Sequence, residues 1–126
     1  MDTWLLMAKG NESAARILQR SQRYRSAMSR AYYAAFALAT HCLLTAGATF
    51  GGRTSPPHRD LRGLVRAHLT AGWPAARADA LDAALGALYR LRIDADYVDG
   101  WRPTNRQAKN ALVLLESVLY ALEPLK

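Results

Sequence analysis

The sequence has a single cysteine, Cys42, with three histidines, three lysines and two phenylalanines in 126 residues. One cysteine excludes an internal disulfide, so the chain is expected in a reducing, cytoplasmic compartment. Cys42 sits in mid-helix and reads as a small core residue rather than a nucleophile. His41, His58 and His68 lie far apart with no second cysteine, so no zinc spacing exists and neither a metal nor a cofactor is expected. Met1 to Lys9 lacks a basic leader and contains only a short apolar run, so no signal peptide, membrane span or membrane partner is expected. There is no glycine-rich phosphate loop with a following lysine, and no persuasive Ser/His/Asp order. Asp94 and Asp96 are two apart, diverge on a helix, and cannot share a proton or a metal. Strand alternation, internal repeats and low-complexity tracts are also missing.

What is present is helical. Apolar residues make up 51% of the chain, enough for one core, and the length fits a single domain over residues 1–126. The spacing predicts an all-α, up-and-down bundle of about five helices. The first runs from Thr3 to Gln19, capped by Asp2 or Thr3, with Leu5, Ala8, Ala15 and Leu18 as a partial stripe. The second, Tyr24 to Ala46, is apolar on almost every side and is expected to be central. Its aromatic residues Tyr24, Tyr32, Tyr33 and Phe36 read mainly as core. The glycine- and proline-rich stretch from Gly47 to Pro57 is long for a connection and is read as mobile or functional. Ser55 and Pro56 then start a short third helix, with proline at its first position. The fourth runs from Ala75 to Asp96 on Leu81, Leu85, Leu88 and Leu91. Thr104 and Gln107 form a capping box for the fifth, whose stripe runs from Ala108 to Leu122.

The net charge is +7, carried by 14 arginines against three lysines. Such a surface attracts polyanions, nucleic acid first among them. With 24 alanines the same profile also follows from GC-rich coding. If the charge is functional, Arg59, Arg62 and Arg66 of the third helix gather with Arg92 or Arg102 around one phosphate-binding groove; otherwise they scatter over solvated faces. Trp73 and Trp101, each in a break beside a proline, are read as plugs at the bundle ends or as platforms for a base.

Polar residues on apolar stripes are the most informative. At 100° per residue, Arg92 falls about 20° from Leu81, on the core side of its helix, and Asp96 follows one turn later. Arg30 shares a face with Ala27, Ala34 and Ala37. His41 lies at the same azimuth about 16 Å along the helix, too far to pair with Arg30. A buried arginine needs a carboxylate or several carbonyls, so Asp96 is the expected partner of Arg30, Arg92 or both. Such a contact either locks the second helix on the fourth or holds an arginine towards a phosphate.

Ser29-Arg30-Ala31-Tyr32-Tyr33-Ala34-Ala35-Phe36, followed by Arg92-Ile93-Asp94-Ala95-Asp96-Tyr97, resembles the HEPN superfamily, and in particular its small stand-alone bacterial and archaeal members with S-R-x-Y-Y-A-A-F and R-x-x-A-D-Y motifs. The resemblance covers roughly the whole chain. It implies a bundle that forms a homodimer with the signature arginine near the interface. It also implies association with RNA or a nucleotide, often in a toxin–antitoxin pair with a nucleotidyltransferase-like protein. Many members are metal-independent endoribonucleases, and others are binding modules. The catalytic members carry arginine, four to six residues, then histidine; counting from Arg92 those positions are Tyr97, Val98 and Asp99. The imidazole is missing there, leaving Tyr97 as a phenol beside Arg92 for catalysis, with Arg30, Asp96 and Tyr33 as structural support. Arg53 to His58 and Arg62 to His68 match the spacing elsewhere, but about one such match is expected by chance, so both are discounted. A purely structural or protein-interaction bundle stays open beside the binding and nuclease readings.

Overall fold

The computed structural model describes residues 3–126. It contains α1 (Thr3–Arg20), α2 (Tyr24–Thr45), α3 (Leu61–His68), α4 (Ala75–Tyr97) and α5 (Asn105–Leu122), with short 3-10 turns at His58–Asp60 and Glu123–Leu125. Among the described residues the only β pairing is an isolated bridge between Phe50 and Arg53, so the architecture is the expected all-α bundle. Thr3 is already helical, and Asp2, the other proposed cap of α1, lies outside the described residues.

Helix α2 is the axis of the bundle. Fourteen of its 22 residues are buried, and α1, α3, α4 and α5 all pack on it. Ala31, Ala34, Ala35 and Ala39 are fully buried, and their small side chains let the surrounding helices approach closely. Exposed large apolar residues include Leu44 in the last turn of α2, Ile17 of α1, Tyr97 and Val98 at the end of α4, and Val113 and Tyr120 of α5.

The capping box of α5 forms as expected: Gln107 N donates to Thr104 Oγ1 at 3.2 Å, and Thr104 N donates to the Gln107 Oε1 at 2.8 Å. Such a cap contributes about 1 kcal/mol. The start of α3 differs from expectation. Ser55 and Pro56 do not open a helix; Pro57 is extended (φ −57°, ψ 143°) and α3 begins only at Leu61. The reason lies in the Pro56-Pro57 pair, because a residue before proline is pushed out of the helical region. The preceding loop is turned by Gly51 and Gly52, with φ of 60° and 85°, a pair of left-handed positions that only glycine adopts freely. It is tied down by burial of Ala48 and Phe50.

Helix α3 is clamped to α4 by charge. Arg62 reaches Asp82 through two bonds, Nε to Oδ1 at 3.0 Å and Nη2 to Oδ2 at 2.8 Å. Arg66 meets Asp79 at 3.1 Å and Asp82 at 3.3 Å. The Arg62 guanidinium lies over Gly86 of α4, where a Cβ would stand 2.8 Å from its carbon.

Candidate phosphate-binding site

The site begins with two adjacent tyrosines of α2. Tyr32 points inward and is buried, while Tyr33 sits half-buried at the edge facing the end of α4. Arg92 lies against both rings, its guanidinium carbon 5.9 Å from the centre of Tyr32 and 5.5 Å from that of Tyr33. Its Nη2 donates to the Tyr33 hydroxyl at 2.9 Å. The exposed ring of Tyr97 completes the surround, 5.4 Å from the same carbon.

Only 11% of the Arg92 side chain is exposed. Its Nε lies 3.1 Å from Asp96 Oδ2, but the N–H is not directed at that oxygen and makes no hydrogen bond. The contact is therefore an ion pair without bidentate geometry. Burial opposes the charge of Arg92, yet the Tyr33 hydrogen bond, with Tyr97 and Asp96, outweighs it and holds the guanidinium pKa above its ordinary value. Arg92 is a permanent cation in a ring of phenols, with one carboxylate at its side.

An imidazole joins this cluster from an unexpected direction. The extended Ser55–Pro57 segment returns the long loop to α2 and sets His58 over Phe36, ring centres 4.4 Å apart. Its Nδ1 lies 2.7 Å from the Tyr32 hydroxyl. Burial drives the Tyr32 pKa upward, against the opposing pull of Arg92, so the phenol keeps its proton. Burial, together with the charge of Arg92, lowers the His58 pKa below its usual value. A protonated phenol and a neutral imidazole can share this bond either way: with Tyr32 donating to Nδ1 the ring proton sits on Nε2, and with Nδ1–H donating to the phenol oxygen Nε2 is free to accept. His58 is thus a neutral imidazole at neutral pH.

Two cavities meet at Arg30 and Tyr33. One, of about 380 Å³, runs between α1, α2 and the loop, with His58, Arg53, Phe36 and Trp4 in its walls. The other, of about 600 Å³, lies between α2 and α4, with Ser26, Ser29, Ala95 and Asp96. Tyr33 and Asp96, the two groups that hold Arg92, therefore both line the second cavity.

Among the residues singled out from sequence, Arg92, Tyr97, Asp96 and Tyr33 come together at one place. Arg30 does not pair with Asp96. It lies at an exposed position and donates Nη1 to Asn11 Oδ1 of α1 at 3.1 Å, its long side chain carrying the charge off the alanine face to the surface. Asp96 takes Arg92 of its own helix instead. Arg62 and Arg66 do not gather with Arg92; their guanidinium groups are held by Asp79 and Asp82 at the α3–α4 edge. Arg59 lies nearest the Asp60 carboxylate at 3.9 Å and is largely exposed. Arg102 lies near the N-terminus of α2 with Arg23 and Arg25. Of the tryptophans, Trp73 carries Arg77 over its ring at 4.3 Å, whereas Trp101 lines a cavity. Cys42 is buried, and burial pushes its thiol up to about 11, so it is a core residue and not a nucleophile.

His58 is the residue that sequence reasoning discarded. Its spacing from Arg53 was visible, and both residues line the same cavity. Its proximity to the Arg92 cluster depends on the path of the loop, which no local spacing encodes. The model of the HEPN domain family matches residues 1–125 of the chain. Among curated proteins, no relative matches it.

Proposed function

The chain belongs to the HEPN domain family, and from that premise we propose that it is an RNA- or nucleotide-binding module that takes phosphate where its two cavities meet. Arg30, Arg53 and His58 supply the walls, and Arg92 supplies a fixed positive charge behind Tyr33. The carrying observation is how Arg92 is held. Tyr33 accepts its hydrogen bond and the rings of Tyr32 and Tyr97 flank it without formal charge, so against the single carboxylate of Asp96 the site with Arg30 and Arg53 keeps a net electropositive field.

A second reading, a metal-independent endoribonuclease, is favoured by His58. Attack of a ribose 2′-hydroxyl on the adjacent phosphorus breaks the bond to the 5′-oxygen, which needs a proton as it leaves. His58, neutral at rest, takes the 2′-proton on Nε2 while its Nδ1–H donates to Tyr32, and the imidazolium so formed gives that proton to the leaving oxygen, while Arg92 stabilises the charge developing on the phosphorane oxygens. A single imidazole then serves both steps, because the positions after Arg92 at which catalytic members carry histidine hold Tyr97, Val98 and Asp99 here, and for that reason binding is the leading reading.

We extend the proposal to pairing with a nucleotidyltransferase-like partner in a toxin–antitoxin system, and to self-association, which the family likeness supports. The exposed Tyr97 and Val98, next to the site, are the residues such partners cover. Anisotropy of a labelled single-stranded RNA, from low to moderate salt, tests the leading reading. Wild type binds with a salt-dependent affinity, and Arg92→Ala, which removes the fixed charge behind Tyr33, binds at least about tenfold more weakly. No binding at the lowest salt rejects the proposal. RNA left intact supports the module, and cleavage abolished by His58→Ala transfers the case to the nuclease.

A further inference from the structure

The cavity near the N-terminus of α2 continues those already described. It measures about 430 Å³ and is lined by Arg23, Tyr24, Arg25, Ser26, Trp101 and Arg102. It shares Arg25 and Ser26 with the α2–α4 cavity, which in turn shares Arg30 and Tyr33 with the cavity of His58. Three depressions therefore adjoin one another in a row along α2, a trough in outline. Ser26, Arg30, Tyr33 and Ala37 follow one another at helical spacing on its floor, and their span of eleven residues is about 16 Å.

The charge of this trough is one-sided. Among the described residues its lining holds a single carboxylate, Asp96. Arg23 and Arg102 are exposed and make no ion pair among the described residues. Arg25 donates to two main-chain carbonyls at the end of α4, Ala95 at 2.9 Å and Val98 at 3.0 Å, which fixes its position and leaves its charge uncancelled. Trp101 is delivered by Gly100, whose φ of 73° turns the chain after α4. Packed against the core yet lining the cavity, it is a rigid aromatic surface between two free arginines.

We infer that the trough is a track for one strand of RNA, and that Trp101 with Arg23 and Arg102 forms a second station, which stacks a base and holds its phosphate about 10 Å or more along α2 from the Arg92 site, the rise from Tyr33 to Ser26. A single strand is the fitting ligand because stacking on Trp101 requires a base free of its own duplex. The inference rests on the phosphate-binding reading above and extends it from one site to a path.

The test measures binding of oligoadenylates of two, four and eight nucleotides to wild type, Arg23→Ala/Arg102→Ala, Trp101→Leu and Arg92→Ala. In wild type, affinity rises with length. The double arginine variant binds the longest strand about tenfold more weakly, and its log–log salt slope is shallower by about 1.4, two contacts at about 0.7 each. Trp101→Leu loses a similar factor with its salt slope unchanged, the mark of stacking. Neither changes dinucleotide binding. Both altered arginines are on the surface, so the double variant keeps its melting temperature. If both variants bind the longest strand like wild type while Arg92→Ala does not, the track is wrong and the phosphate site stands. If wild type binds no strand, both proposals fall.

Discussion

At the α3–α4 edge, Arg62 and Arg66 meet Asp79 and Asp82 through short, partly bidentate bonds. At the α2–α4 edge, Arg92 meets Tyr32, Tyr33 and Tyr97, with one misaligned carboxylate. The two edges use the same side chain for opposite ends. Carboxylates cancel the first pair of charges and turn them into a clamp between helices. Phenols hold the third in place, and one carboxylate offsets it only in part. The number of arginines on a surface therefore says little about polyanion binding; what each one is bonded to decides it.

The sharpest way to break this comparison is to remove one arginine from each edge. Arg92→Ala is expected to lower RNA affinity at least about tenfold, whereas Arg62→Ala leaves it within about twofold, a surface ion pair being worth little to a distant site. Equal losses in the same anisotropy titration would erase the distinction. Next in size is Tyr33→Phe, which keeps the ring but strands an N–H of a largely buried guanidinium. It should cost about 1–2 kcal/mol in a urea melt, with the fold unchanged by circular dichroism. Asp82→Ala attacks the clamp instead. Its two arginine partners are half-exposed, so the loss is about 1 kcal/mol or less after solvent screening, with RNA affinity intact. Arg62 and Arg66 hold the Asp82 carboxyl below its ordinary pKa. Its contribution is therefore present above about pH 4 and disappears as acid drives the pH through the lowered folded value.

The smallest effect belongs to His58. Its folded pKa is depressed by burial and by Arg92, so the unfolded chain takes up a proton first as the pH falls. Stability from the neutral imidazole is complete above about pH 6.5 and declines on acidification through the folded pKa. Melting temperatures of wild type and His58→Gln, compared between pH 8 and pH 5, should converge towards the acid end. Parallel curves would show that His58 is not the neutral partner of Tyr32.

The helices were legible because their signals are local. The leucine spacing of α4, the capping box at Thr104 and the all-round apolar character of α2 each lie within one element. The site was legible only in part. Arg92 and Asp96 share one face of one helix and were within reach of azimuth alone, whereas Tyr97 and Tyr33 entered with the family motifs. His58 was out of reach, because a loop with a Gly51-Gly52 turn and an extended Pro56-Pro57 pair sets its position, and loop paths are fixed by tertiary packing. Arg30 misled for a different reason. Azimuth places its Cα on the alanine face, but the side chain is long enough to leave that face and find Asn11.

Gly86 ties two distant positions in the sequence into one constraint. Any side chain there would occupy the space of the Arg62 guanidinium. That group is the free end of a flexible side chain, so it would be displaced rather than crushed, and Asp82 would lose its bidentate partner. Residues 62 and 86 should therefore drift together across generations: an alanine at 86 is tolerated best in sequences where 62 is already short. A deep mutational scan has a direct readout of this, since Gly86→Ala and Arg62→Ala should be less harmful together than the sum of the two alone.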